Sequence, residues 1–225
     1  MKIFMASLAS GCILLITTFT VFAQDVGSHK FYVGASFLYS SPSLSDEELK
    51  ESAVIPSSDW VNNPTHSSVG SIGLEIKVGH EIFYFGDFEV SAFYINEISG
   101  SFRATDVQLD YHQQDYTFSL AAISANLLLK TQILNRLYGY FKLGAGGIYR
   151  DRTVISSVRI NLVVINNYSR IEDNCFSPMS RIGLGLRWFW SEQFPLVFEY
   201  EEVNGYGKLK DIKLWNALIG ISWYF

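Results

Sequence analysis

Apolar and polar residues alternate one by one in several stretches of the chain, most clearly in its last twelve residues. Within residues 214–225, every second position counted from the end is apolar: Phe225, Trp223, Ile221, Ile219, Ala217 and Trp215. A period of two is the repeat of a β-strand, and about ten residues are enough for a strand to cross a bilayer. A half-buried strand of a soluble protein also alternates. The aromatic residues at both ends of this stretch favour a strand with one face in lipid.

Seven further stretches show the same alternation, so the sequence predicts eight strands. They span residues 31–39, 70–80, 88–96, 116–130, 139–150, 181–189 and 196–203. The connections between strands are alternately long and short, except for a last one of medium length. This is the organisation of an outer-membrane barrel with short periplasmic turns and long extracellular loops. We therefore predict an all-β fold, a transmembrane antiparallel up-and-down β-barrel of eight strands.

The third long connection, at residues 151–178, is unusual for a solvent-exposed loop. Its segment 154–165 reads VISSVRINLVVI and is rich in β-branched apolar residues. We interpret this segment as a strand extension or a hairpin that projects above the membrane and offers an edge for a partner strand. The alternative is an extra pair of membrane strands, which would give a barrel of ten.

The fourth predicted strand contains a change of phase. Ala121, Ile123 and Ala125 lie on its predicted outward face, whereas Phe118 and Leu120 fall on the other face. A change of phase within one strand indicates an extra residue, so we predict a β-bulge or a register ambiguity near Ala121 and Ala122.

The N-terminal residues predict export. Lys2 is followed by an apolar segment at residues 11–22, which is shorter than the roughly 20 residues of a membrane-spanning helix. Small residues at Val21 and Ala23 fit cleavage by a signal peptidase. We therefore predict a cleaved signal peptide at residues 1–23 and a barrel domain at residues 24–225.

Composition narrows the class of protein further. The predicted mature chain carries 16 basic and 22 acidic residues, a net charge of −6. This charge argues against a nucleic-acid-binding protein, which needs a basic surface. Cys12 lies in the predicted signal peptide, so Cys175 would remain alone, either as a free thiol in a loop or in an intermolecular link.

Charged residues of both signs lie on the predicted inward face of the barrel. The lumen of an eight-stranded barrel is only wide enough for side chains, and an unpaired charge there is costly. We therefore predict an interior charge network that fixes the register; an ion pathway or proton relay is the alternative. Counting from the turn near Gln193 places Arg187 opposite Glu199, so we predict that pair. The network comprises Glu75, Lys77, Glu89, Lys142, Arg181, Arg187, Glu199 and Glu201.

Several of these strands resemble those of a known family. The YFKLGAG stretch at residues 140–146, the glycines at 183 and 185 before Arg187, and the terminal Phe225 look like the small OmpA/OmpX/opacity-type barrels. The chain end also resembles the C-terminal assembly signal of outer-membrane barrels, with Gly220, Trp223 and Phe225 in place; Leu218 stands where a polar residue is usual. The resemblance implies a surface protein of the Gram-negative outer membrane, in contact with lipid, lipopolysaccharide and the assembly machinery.

Three classes of function fit such a barrel. The first is a non-enzymatic surface protein, with an envelope-structural role or loops that mediate adhesion to a host ligand. The second is a narrow channel or a transporter of hydrophobic ligands. The third is a lipid A-modifying enzyme, which needs a histidine with a serine or acidic partner near the outer interface. The predicted mature chain has four histidines: His29, His66, His80 and His112.

The first class is the one we predict. His29 and His80 fall at the periplasmic end, and His66 and His112 fall in loops, where a solvated histidine is the ordinary case. We therefore expect no enzymatic activity, no cofactor, no metal and no nucleic-acid partner. Acidic residues in the loops, such as Glu48 and Glu172, could bind divalent cations, but scattered surface acids are the simpler interpretation.

Overall fold

The protein is described by a computed structural model, which covers residues 30–44, 65–105, 111–160, 163–210 and 212–225. The predicted signal peptide lies outside these residues. Nine strands form a single sheet. They are β1 (Phe31–Leu44), β2 (Thr65–Val69), β3 (Ser71–Phe83), β4 (Gly86–Thr105), β5 (Tyr111–Leu134), β6 (Leu137–Ile160), β7 (Val163–Phe189), β8 (Pro195–Gly205) and β9 (Ile212–Tyr224). No helix within these residues is long and apolar enough to cross a membrane.

Eight of the strands close into a ring in which every neighbouring pair is antiparallel. β1 pairs with β3, the following strands pair in chain order, and β9 returns to pair with β1. The short strand β2 precedes β3 with only Gly70 between them, and it pairs with the outer part of β4. The predicted eight-stranded up-and-down barrel is therefore confirmed, and the ten-stranded alternative is wrong.

The short turns and both ends of the barrel chain lie at one end of the ring. Residues 84–85, 135–136 and 190–194 connect adjacent strands there. Phe31 and Phe225 exchange two backbone hydrogen bonds of 3.2 and 3.0 Å at the same end, which close the barrel. By the organisation of outer-membrane barrels, this is the periplasmic end.

The outer surface of the barrel is apolar, with aromatic rings near both edges. At the periplasmic edge Phe83 stacks on Phe85, and Phe194 stacks on Trp223. At the other edge, ladder pairing places Tyr94 of β4, Ala121 of β5, Tyr149 of β6 and Phe176 of β7 in one row. Tyr200 and Trp215 stack near the same edge, with ring centroids 5.7 Å apart. Such an apolar band between two aromatic girdles is typical of a barrel in a bilayer.

The strands on one side of the barrel are longer than the sequence predicted. The predicted connections at 97–114 and 151–178 contain strand for most of their length, because β4 and β5 pair as far as Thr105 and Tyr111. β6 and β7 pair as far as Ile160 and Val163. The predicted hairpin at residues 154–165 is therefore present, and Cys175 lies buried within β7 rather than in a loop.

The predicted bulge in the fourth strand is wrong. β5 keeps one phase, with Phe118 and Leu120 inside the barrel, and its pairing with β6 is continuous past Ala121. The irregularity lies in the neighbouring strand, between Ile95 and Ile98 of β4, where Glu97 has a φ of 38°. The sequence suggested a change of phase because apolar side chains fill the outer part of the lumen. Phe118 and Leu120 are apolar and point inward there, whereas the apolar residues Ile123 and Leu127 of the same strand face lipid.

Candidate functional site

The lumen of the barrel contains the charged residues that the sequence placed on the inward face. All eight are buried, and none has more than 6% of its surface exposed. They come from five strands of the ring, which brings together residues as far apart in sequence as Glu75 and Arg181. Carboxylates and cations are therefore held against each other with little solvent to screen them.

Arg181 is at the centre of this network. Its guanidinium donates hydrogen bonds of 2.6 Å to Glu201 and 2.7 Å to Glu75. The remaining donors reach the hydroxyls of Ser91, at 2.7 Å, and Ser124, at 3.0 Å. A planar guanidinium with several donors suits such multiple contacts better than a lysine ammonium would. Arg181 thus ties together β3, β4, β5, β7 and β8.

The two buried lysines share a second acidic centre. The ammonium of Lys77 lies 2.5 Å from Glu199, and that of Lys142 lies 2.9 Å from the other oxygen of the same carboxylate. Lys142 also lies 3.3 Å from Glu89. The hydroxyl of Tyr140 donates a further hydrogen bond of 2.6 Å to Glu199. The charges of this layer are therefore compensated within the lumen.

Arg187 does not pair with Glu199, so that prediction is wrong. Its ladder partner on β8 is Val197, and its guanidinium donates to Asp87 at 2.7 Å. The rings of Tyr32, Tyr140 and Tyr224 surround it, with the nearest centroid at 4.8 Å. Cations over aromatic faces are attracted by the ring quadrupole. Asp87 was missed because the predicted strand began one residue later.

A second, apolar layer fills the lumen beyond Arg181. Along β7 the inward positions change from Arg181 to Met179 and Cys175, and both of these side chains are buried in one cluster. Leu209, in the short 3-10 turn between β8 and β9, inserts into the same cluster from above. Two successive layers therefore occupy the lumen. The other members of the cluster are Leu38, Phe93, Ile95, Ile98, Tyr116, Phe118, Leu120, Ala122, Ile148, Val203, Ile212, Leu214 and Leu218.

A cavity of about 940 Å³ opens at the periplasmic end of the barrel. Lys30, Lys130 and Arg136 lie among its lining residues, and it extends inward to Tyr140 and Arg187. None of the charged residues of the Arg181 and Lys142 layers lines it. The cavity is thus a vestibule that ends at Arg187.

On the opposite side of the membrane, five strands continue as one sheet. β2, β4, β5, β6 and β7 pair above the level at which β8 ends. β7 pairs with β8 only between Met179 and Phe189. Along residues 163–177 of β7, no strand in the described part of the chain pairs with that edge. Among the described residues, this edge of about fifteen residues therefore has no partner strand.

Of the four histidines, only His80 has a described side chain. The ring of His80 packs against Phe31 near the periplasmic end, with centroids 4.2 Å apart. His66 and His112 belong to β2 and β5, and His29 lies outside the described residues. No group of three or more His, Cys, Asp or Glu side chains in the described residues could hold a metal ion. Glu48 also lies outside those residues.

The three residues of the predicted assembly signal lie on β9 or directly after it. Trp223 and Phe225 are exposed on the lipid-facing side, and Gly220 lies against Ser36 of β1, where an added side chain would collide. Their role in assembly stays a prediction.

Together, the closed ring, the aromatic girdles and the polar lumen define the fold of the small eight-stranded outer-membrane barrels. The structure is similar to that of Neisserial surface protein A (NspA), with a TM-score of 0.53 and 14% sequence identity over 87% of this chain and 97% of NspA. At this identity the similarity establishes the fold alone.

Two other solved barrels are similar over a comparable length. The attachment invasion locus protein Ail of Yersinia pestis, solved with the heparin analogue sucrose octasulfate, has a TM-score of 0.47 and 15% identity over 88% of this chain and 99% of Ail. OprG of Pseudomonas aeruginosa has a TM-score of 0.47 and 10% identity over 88% of this chain and 96% of OprG. No protein-family model matches the sequence, and no curated protein sequence is significantly similar to it.

Proposed function

We propose that the protein is a non-enzymatic surface protein of the bacterial outer membrane that contacts a cell-surface or host partner through its projecting sheet. The observation that carries this proposal is the free edge of β7 at residues 163–177. A transmembrane strand needs roughly 9–11 residues. β6 and β7 have 24 and 27 residues, so more than half of each extends beyond the bilayer.

The ordered pairing of this extension supports a role in recognition. A free strand edge carries unpaired backbone N–H and C=O groups that can pair with an extended segment of another protein. β4 to β7 are already hydrogen-bonded to each other. Binding of a partner strand would therefore not carry the entropic cost of ordering them. The filled lumen makes a channel the weaker candidate.

Removal of the projecting hairpin tests this function. Asp151 and Asn174 are ladder partners, so residues 152–173 can be replaced by an Asn-Gly turn without shifting the register below them. The intact protein and the shortened form are displayed on a non-adherent Gram-negative strain, and adherence to host cells is counted. Both forms must first show heat-modifiable migration on gels, which reports a folded barrel.

A second shortened form serves as the matched control. Arg103 and Gln113 are also ladder partners, so residues 104–112 can be replaced in the same way and β7 stays intact. We expect the intact protein and this control to adhere, and the form without the β6–β7 hairpin to fall to background. Equal adherence of all three forms would exclude the hairpin as the contact surface, and background adherence of all three would favour an envelope-structural role.

A further inference from the structure

The lipid-facing wall of the barrel contains a groove of about 390 Å³. Small side chains line part of it, among them Val33 and Ala35 of β1 and Ala92 of β4. Larger side chains complete the lining, including Ile76, Phe88 and Trp223. The groove thus combines short and long apolar residues on neighbouring strands. Its volume falls within the range of small-molecule binding sites.

Register places this groove in the periplasmic half of the membrane. Three of its lining residues form one row across the strands, because Ala35 lies opposite Ile76 and Ile76 lies opposite Ala92. Ala92 is six residues beyond the start of β4, about 20 Å along the strand at roughly 3.3 Å per residue. With a strand tilt of about 40°, this corresponds to roughly 15 Å above the periplasmic turn, near the middle of a hydrocarbon core of about 30 Å.

We propose that the groove is a binding site for one acyl chain of a glycerophospholipid from the periplasmic leaflet. The groove opens toward hydrocarbon, between the periplasmic aromatic girdle and the middle of the membrane, so lipid chains are its surroundings. The outward-facing side chains that line it are apolar except for His80 at its periplasmic end. A single acyl chain lying in the groove would remove apolar surface of both the chain and the barrel from contact with other groups.

Retention of lipid by the purified protein tests the proposal. The delipidated protein in a mild non-ionic detergent is mixed with palmitoyl-oleoyl phosphatidylethanolamine, and native mass spectrometry counts the lipids that stay bound. Ala92→Phe fills the groove with a ring, and Ala35→Phe does the same from β1. We expect the wild type to retain one lipid and each variant to retain it about tenfold less tightly, a change of about 1.4 kcal/mol.

Ala145→Phe is the matched control. Ala145 is a lipid-facing alanine of β6, on the opposite side of the ring and outside the groove. We expect this variant to retain lipid like the wild type. Equal retention by all four proteins, or an equal loss in the control, would overturn the proposal. A dimer in place of the lipid adduct would instead assign the groove to a second copy of the chain and would also overturn it.

The inference rests on the barrel lying in a membrane but not on any role of the projecting sheet. Heat-modifiable migration of each variant shows that the barrel has folded. The adhesion measurement and the lipid measurement can therefore fail independently of each other.

Discussion

Arg181 holds together more strands than any other side chain described above, and its replacement should be costly. Arg181→Met would leave the carboxylates of Glu75 and Glu201 buried without their main cation. Breaking a buried ion pair by removing one partner typically costs about 3–5 kcal/mol. We expect a loss of that size in the free energy of unfolding, measured by tryptophan fluorescence in urea with the protein in lipid vesicles.

An exposed ion pair in the same barrel provides the control. Lys213 lies 2.9 Å from Glu202, and 42% of its side chain is exposed. Pairs of this kind contribute about 0–1 kcal/mol, so Lys213→Met should have little effect. The triple variant with Arg181→Met, Glu75→Gln and Glu201→Gln should recover much of the lost stability, because no uncompensated charge remains. Equal losses in Arg181→Met and Lys213→Met would contradict the central role of Arg181.

The sequence predicted which face of a strand a charged residue occupies, but not its ion-pair partner. Alternation alone placed Arg181 and Glu201 on the inward face, because the period of a strand decides which side a residue takes. It could not decide which charge meets which. The turn between β7 and β8 is centred on Glu192 rather than Gln193, and this shift moves the ladder partner of Arg187 from Glu199 to Val197. The ion-pair partner of Arg187 is Asp87, which lies on β4, across the lumen from β7. No local sequence pattern could therefore reveal this pair.

At the scale of elements, the turn between β5 and β6 contains a correctable strain. Glycine is favoured at a turn residue with positive φ, because a Cβ atom is strained in that conformation. Here the sequence is Asn135-Arg136, and Arg136 has a φ of 67°. A side chain in this conformation costs roughly 1–2 kcal/mol. We expect Arg136→Gly to raise the free energy of unfolding by about 1 kcal/mol, measured by urea unfolding in lipid vesicles.

The side chain of Arg136 itself contributes little to this turn. Its contact in the described residues is one long hydrogen bond of 3.5 Å to the carbonyl oxygen of Trp190. Arg136→Ala removes that contact but keeps a Cβ atom at positive φ, so it should not stabilise the barrel. An increase in stability as large in Arg136→Ala as in Arg136→Gly would show that the backbone conformation is not the cause.

The positions of the strands within the membrane were predictable from the sequence, whereas the lengths of the strands outside it were not. Lipid on one side and a narrow lumen on the other impose strict alternation, as in β3 and β9. Above the membrane, both faces of a strand can be polar, so the outer part of β4 alternates only weakly, with Ile98 and Phe102 among glycine, serine and charged residues. Residues 97–114 therefore looked like a loop. The β6–β7 hairpin was predicted only because its β-branched apolar residues remain visible in the sequence.

At the scale of the whole molecule, the barrel is a closed wall filled by two different kinds of packing. The half nearer the periplasm contains compensated charges, and the half nearer the surface contains mainly apolar side chains, with Arg150 buried at the level of Leu120. The sequence predicted the charged layer, since charges at inward positions are conspicuous. It did not predict the apolar layer, because an apolar residue at an inward position, such as Phe118, is not distinguishable by type from one that faces lipid.

This double filling predicts that the protein does not conduct ions. An eight-stranded barrel has an interior only just wide enough for side chains, and here both layers of side chains are packed. We expect the protein reconstituted in a planar bilayer to show only background conductance. The variant Arg181→Ser should give the same result even though it opens the charged layer, because Phe118 and Leu120 remain above it. Reproducible single-channel steps in the wild-type protein would contradict this interpretation and favour a transport function. Steps seen only in Arg181→Ser would mean that the charged layer alone closes the lumen, and that the apolar layer above it admits water.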